Sequence, residues 1–153
     1  MGLNIGDIAP DFSAKDQNGT LLKLSDFKGK TVILYFYPKD DTPGCTKEAC
    51  NFRDNYSTLL QKGMVVLGVS ADDEQSHKKF ADKFNLPFPL IADTEKNIIH
   101  AYGVWGEKNM YGKKSMGIIR TTFIIDPEGK IQDIIKKVDT EKATEQILKR
   151  LEK

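Results

Sequence analysis

Seven residues, Thr31-Val32-Ile33-Leu34-Tyr35-Phe36-Tyr37, run without a charge and stop at Pro38, and Thr42-Pro43 opens a helical pattern shortly after. A run this apolar reads as a buried strand, and a helix beginning just past its carboxyl end restricts the chain to an α/β fold. In open α/β folds that edge is where sites form.

The helix start carries a thiol. Thr42 suits the N-cap, Pro43 the first helical position, and Cys45 is then the third helical residue, with its backbone N–H expected to face the Thr42 hydroxyl. Unpaired N–H groups and the positive end of the helix dipole stabilise a thiolate there, and the thiolate is the nucleophile. Cys50 is the second and last cysteine. Three blander readings fit less well. Most free cysteines are inert small hydrophobes, but those do not come with a cap, a Pro-Gly punctuation and a partner thiol. Structural zinc needs about four ligands, and His77 and His100 lie in separate segments, so no metal is expected. A structural disulfide over four intervening residues restrains almost nothing in the unfolded chain.

With 153 residues the chain has room for a real core and reads as one domain over 1–153. Its 23 basic and 22 acidic side chains nearly cancel, so no general field draws it to nucleic acid or an anionic membrane. The N-terminal stretch lacks the pattern of a signal peptide and no run approaches a membrane span, so a cytoplasmic location is expected. Asn18-Gly19-Thr20 and Asn55-Tyr56-Ser57 match the glycosylation pattern by chance on this reading. Gly106 and Gly112-Lys113-Lys114 superficially resemble a phosphate loop, but the spacing is one too long and no Ser or Thr follows the first Lys, so nucleotide binding is rejected.

Along the chain, Asn18-Gly19 between Phe12–Lys15 and Leu21–Leu24 predicts an N-terminal hairpin. Strands follow at Lys30–Tyr37 and Met64–Ser70, with a helix from Thr42 to about Gln61 between them. Asp73–Phe84 is helical with His77, Phe80, Ala81 and Phe84 on one face. Phe88–Ala92 is short and extended, Lys96–Tyr102 a short helix, and Gly103–Gly117 a Gly-rich loop to which no catalytic role is given. Thr121–Ile125 and Lys130–Val138 flank the turn Asp126-Pro127-Glu128-Gly129, and Thr140–Leu151 closes the chain as an amphipathic helix. That order predicts a thioredoxin-like fold, a central mixed sheet flanked by helices, with the N-terminal hairpin as an extension. Fold alone sets no chemistry. A thioredoxin-type exchanger carries C-x-x-C, whereas the spacing here is C-x4-C.

The segment Tyr35-Phe36-Tyr37-Pro38-Lys39-Asp40-Asp41-Thr42-Pro43-Gly44-Cys45-Thr46-Lys47-Glu48-Ala49-Cys50, followed by Phe52-Arg53-Asp54, resembles the active-site segment of the Q-type peroxiredoxins, also called bacterioferritin comigratory proteins. The similarity continues through Gly68-Val69-Ser70, Phe88-Pro89-Leu90-Ile91-Ala92-Asp93, the stretch from Tyr102 to Lys108 and that from Gly117 to Asp126. The resemblance implies a thiol peroxidase acting on hydrogen peroxide and organic hydroperoxides, with thioredoxin or a similar dithiol as reductant and no cofactor, working as a monomer or weak homodimer. It makes Cys45 the peroxidatic cysteine, Pro38 and Thr42 the other members of P-x-x-x-T-x-x-C, Arg120 the arginine that reaches the site from a later strand, Cys50 the resolving cysteine, and Glu48 the acid that holds the arginine.

Elementary chemistry asks for the same residue types. Lowering any thiol from about 8.5 to about 6 raises its thiolate fraction at neutral pH roughly thirty-fold, some 2 kcal/mol. Enzymatic accelerations begin near a million-fold, about 8 kcal/mol, so most of the effect must come from aligning the peroxide and stabilising charge as the O–O bond breaks. A planar fork of donors does both, and the chain carries only three arginines, Arg53, Arg120 and Arg150. Outside the resemblance, an Arg at a strand start is usually a surface residue, and Glu48 is equally explained as an acid near a helix N-terminus. The rival functions are a non-catalytic peroxide sensor or redox-regulated holdase, and a general disulfide exchanger.

Overall fold

The structure, a computed structural model, describes residues 2–152. Its centre is a five-stranded mixed sheet built from β3 (Thr31–Phe36), β4 (Met64–Ser70), β5 (Leu90–Ala92), β8 (Thr121–Ile125) and β9 (Ile131–Ile135), in the order β5-β4-β3-β8-β9. β3, β4 and β5 run parallel, β8 pairs antiparallel with β3, and β9 antiparallel with β8. The helices are α1 (Pro43–Gln61), α2 (Glu74–Phe84), α3 (Asn97–Ala101) and α4 (Ala143–Leu151).

Both faces of the sheet are covered, which is why β3 and β4 read as unbroken apolar runs. Alternation along β3 divides the core. Val32, Leu34 and Phe36 pack with Val65, Leu67, Val69, Ile98, Ile99 and Phe123 on one face. Ile33, Tyr35 and Tyr37 pack with Cys45, Phe52, Leu59, Phe80, Phe88 and Ile147 on the other, the face that takes α1, α2 and α4. Gly68 is the position that permits this. It pairs with Tyr35, and a Cβ there would stand 3.0 Å from the Tyr35 ring and from Leu90, so the Tyr35–Phe52 contact depends on a missing side chain.

The N-terminal hairpin forms from β1 (Ser13–Lys15) and β2 (Leu21–Lys23). Its turn is a five-residue loop organised by Asp16, whose Oδ1 accepts from the Asn18 and Thr20 amides. Gln17, in that loop, bonds the Phe88 carbonyl and the Leu90 N–H, so the hairpin covers the open edge of β5.

One segment departs from the sequence reading. The Gly103–Gly117 stretch is a second hairpin for most of its length, β6 (Trp105–Met110) and β7 (Lys113–Ile118), turning at Tyr111-Gly112, both with positive φ. Its lysines and glycines hide the two-residue alternation that normally marks strands. The informative signal was the two-residue connection, where glycine supplies one of the two left-handed positions such turns demand.

Candidate active site

The site assembles where β3 ends. Because β3 and β8 pair antiparallel with Phe36 opposite Thr121, the residue just before β8, Arg120, is delivered beside the loop that leaves β3. That loop runs from Pro38 to Thr42 and hands over to α1, whose first turns carry Cys45 and Glu48 on one face.

Three of the expected residues meet through Arg120. Its Nη1 donates to Glu48 Oε1 at 2.7 Å and its Nη2 to Cys45 Sγ at 3.2 Å. Glu48 is fully buried and Cys45 nearly so, whereas the Arg120 side chain keeps 22% of its surface exposed. Burial pushes the Glu48 carboxyl up to about 7, against the opposing pull of Arg120. Burial also works to deprotonate Arg120, but the charges of Cys45 and Glu48 outweigh it and hold the guanidinium above its ordinary value. The cation is therefore secure, and one of its edges faces sulfur. Gly44 makes the approach possible, since a Cβ there would lie 3.3 Å from Arg120 Nη2.

Thr42 corrects one expectation. Its backbone takes the N-cap conformation and Pro43 follows at the start of α1, but the hydroxyl makes no cap bond and instead donates to the Lys39 carbonyl at 2.9 Å. The tight loop competes for the hydroxyl, as short polar side chains allow, and wins it from the Cys45 N–H. Pro38 is half-buried at the end of β3.

Cys50 sits further along α1, half-buried, with both cysteines as free thiols. Burial pushes its thiol up, with Arg53 opposing. The sequence reading missed Lys108 of β6. Its stem lies over Gly117, and burial together with the Arg120 charge lowers its ammonium while Cys45 opposes, so a second cation belongs to this neighbourhood. Only the strand pairing of the unrecognised hairpin brings it there. Trp105 and Tyr102 are packing residues. Trp105 lies under Lys96 and beside His100, and Tyr102 is buried with its hydroxyl donating to the Pro10 carbonyl.

A family model described as AhpC/TSA matches residues 5–134. The chain is 49% identical over 138 residues to the peroxiredoxin Bcp of Bacillus subtilis, covering 90% of this chain and 88% of that protein. Its fold superposes on a peroxiredoxin Q variant of Xylella fastidiosa with a TM-score of 0.92 at 34% identity, covering 99% of this chain and 97% of that one. The bacterioferritin comigratory protein of Xanthomonas campestris, for which an alkyl peroxide reduction activity is described, superposes with a TM-score of 0.86 at 36% identity, covering 92% of this chain and 90% of that one.

Proposed function

Since this chain belongs to the AhpC/TSA family, and within it to the Bcp or Q-type peroxiredoxins, which are thiol-dependent peroxidases, we propose that its two cysteines divide the catalytic cycle between them. Cys45 attacks, Cys50 resolves, and thioredoxin or a similar dithiol recycles the enzyme in the cytoplasm. The observation that carries this reading is the Arg120 guanidinium donating at once to Cys45 Sγ and Glu48 Oε1.

The Cys45 thiolate attacks the near oxygen of a hydroperoxide. An S–O bond forms as the O–O bond breaks, the far oxygen leaves as alcohol or water with the hydroperoxide's own proton, and the sulfenate left on sulfur takes a proton from solvent to become the sulfenic acid. Arg120 keeps one edge on Glu48 and turns the other to sulfur, so the same donors that hold the thiolate can follow the negative charge on to the peroxide oxygens. The Thr42 proton is given to Lys39, which leaves the hydroxyl only lone pairs to offer. It therefore accepts the O–H of an incoming hydroperoxide and orients it. Pro38, with no N–H, presents an apolar wall to the thiolate. Cys50 then condenses with the sulfenic acid, expelling water, and an external dithiol reduces the disulfide.

A steady-state assay of hydrogen peroxide and several organic hydroperoxides with a thioredoxin system tests the reading. Catalytic consumption is expected, abolished by Cys45→Ser, while Cys50→Ser completes one oxidation and stalls with thioredoxin. One oxidation per chain without recycling would favour a sensor instead. Reduction of disulfide substrates without peroxide would favour an exchanger.

A further inference from the structure

A second cluster of buried polar groups is rooted in the loop that separates Pro38 from Thr42. Asp40 is its hub. Its Oδ1 accepts from the Tyr37 hydroxyl at 2.6 Å, and its Oδ2 accepts from the Ser76 hydroxyl at 2.8 Å and lies 2.7 Å from His77 Nδ1. The other ring nitrogen of His77, Nε2, lies 2.9 Å from the Ile91 carbonyl oxygen. The Asp40 backbone N–H donates to Asp72 Oδ2 at 2.8 Å, which also accepts from the Ser70 hydroxyl at 2.7 Å. The side chains of His77 and Asp40 are 0% and 3% exposed.

The partners define the protons. A carbonyl oxygen only accepts, so His77 Nε2 carries a proton and donates to Ile91, while Nδ1 shares a proton with the Asp40 carboxyl, which already receives two hydroxyl donors. Both ring nitrogens are engaged, so hydrogen bonds account for the approach of Asp40, Asp72 and His77 to within 4.8 Å. The cluster is a clamp joining the loop after β3 to α2 and to the ends of β4 and β5.

The clamped loop is one the chain would not hold unaided. Asp41, next to the hub, has φ 57°, a left-handed conformation that a non-glycine residue adopts at a cost. Its carboxylate is tied in turn to Lys83 at 2.8 Å. A buried polar cluster is seldom the most stabilising filling for such a volume, since apolar residues often do as well or better. What it adds is direction, because it fixes where the backbone at residue 40 runs. That backbone sets Pro38 on one side and the Thr42 hydroxyl on the other.

We propose that Asp40 and His77 are positioning residues for peroxide reduction. They hold the loop 38–42 so that Thr42 and Pro38 meet the peroxide bound at Cys45, and touch no reacting atom themselves. This rests on the reading of Cys45 as the attacking thiol.

The test compares two reactions of the same sulfur in the full-length reduced protein: single-turnover oxidation by hydrogen peroxide, and alkylation by iodoacetamide. Alkylation needs the thiolate but not the alignment of a hydroperoxide. Asp40→Asn and His77→Gln are expected to slow oxidation about tenfold or more, as misplacement of aligning groups does, with alkylation reduced by less than about threefold. A merely structural role, lowering the folded fraction, would move both rates together. Folded variants whose oxidation stays within about twofold of the wild type, or whose two rates fall in parallel, would overturn the proposal. Should either variant fail to fold, Tyr37→Phe and Ser76→Ala each remove one hydroxyl donor to Asp40 at nearly constant volume. A selective loss of oxidation of about threefold is then expected, and unchanged rates in both would refute the clamp. A wild-type protein that is alkylated but inert to peroxide would remove the peroxidase reading and the proposal together.

Discussion

Cys45 and Cys50 stand on one unbroken helix, Pro43–Gln61, five residues apart and both as free thiols. Regular helix geometry separates their Cα atoms by about 8.7 Å, beyond the roughly 7 Å that a disulfide spans. A resolving bond between them therefore requires α1 to unwind over its first turns. On the proposed cycle that opening would also expose Cys45 to a reducing dithiol, and its rate would compete with over-oxidation by further peroxide. Amide exchange over Thr42 to Asp54 is expected to be much faster in the disulfide form than in the reduced form, with β4 little changed. A protected, unaltered helix in the disulfide-bonded protein would rule out local unfolding.

Arg120→Lys keeps the charge and loses the fork. A single ammonium cannot face Glu48 and Cys45 with separate edges, as Arg120 does at 2.7 and 3.2 Å. If alignment supplies most of the barrier reduction, single-turnover oxidation should fall on the order of one hundred-fold, about 3 kcal/mol. A variant within a few-fold of wild type at equal alkylation rate would show that Arg120 is not the aligning group.

Gly44→Ala separates stability from activity. In the first turn of α1, alanine is favoured over glycine by up to about 1 kcal/mol. The new methyl, however, would stand 3.3 Å from Nη2 of Arg120, whose guanidinium is held by Glu48 through Nη1 and by Cys45 through Nη2 and has little freedom to yield. Thermal stability should be unchanged or slightly raised while peroxide oxidation slows about three- to tenfold. Equal loss of both would mean that the helix start, not the arginine, was disturbed.

Glu48 makes stability depend on pH. In the folded protein its carboxyl holds its proton up to about 7, because burial outweighs Arg120, whereas in the unfolded chain it loses it near its ordinary 4.5. The folded state carries the extra proton between those values. The stabilisation is present below 4.5 and drains away as pH rises through 7. Glu48→Gln removes this dependence, so denaturation from pH 5 to 8 should show the variant gaining on wild type by up to about 3 kcal/mol. A difference that stays constant across that range would mean that Glu48 ionises in the folded protein as it does in the unfolded chain.

Local chemistry made much of this protein legible in its sequence. The apolar run of β3, the Pro43 start of α1, the helical spacing of Cys45, Glu48, Ala49 and Phe52, and the Asp73 cap of α2 depend on neighbours a few residues away. Periodicity and capping record such relations directly. Arg120 and Glu48 were named through the resemblance of their surrounding segments, since position alone left each with an ordinary surface or helix-end explanation.

Tertiary structure decided the rest. The strand register, Phe36 opposite Thr121, brings Arg120 to a sulfur 75 positions earlier in the chain. The pairing of β6 with β7 places Lys108 in that neighbourhood, and the packing of α2 puts His77 against Asp40. The turn through Asp41 sends the Thr42 hydroxyl to Lys39 rather than to Cys45. The reason is common to all four. A residue's type and spacing record what it can do within its own turn or strand, whereas its partner across the fold is selected by register, burial and competition among donors, which exist only once the chain has closed on itself.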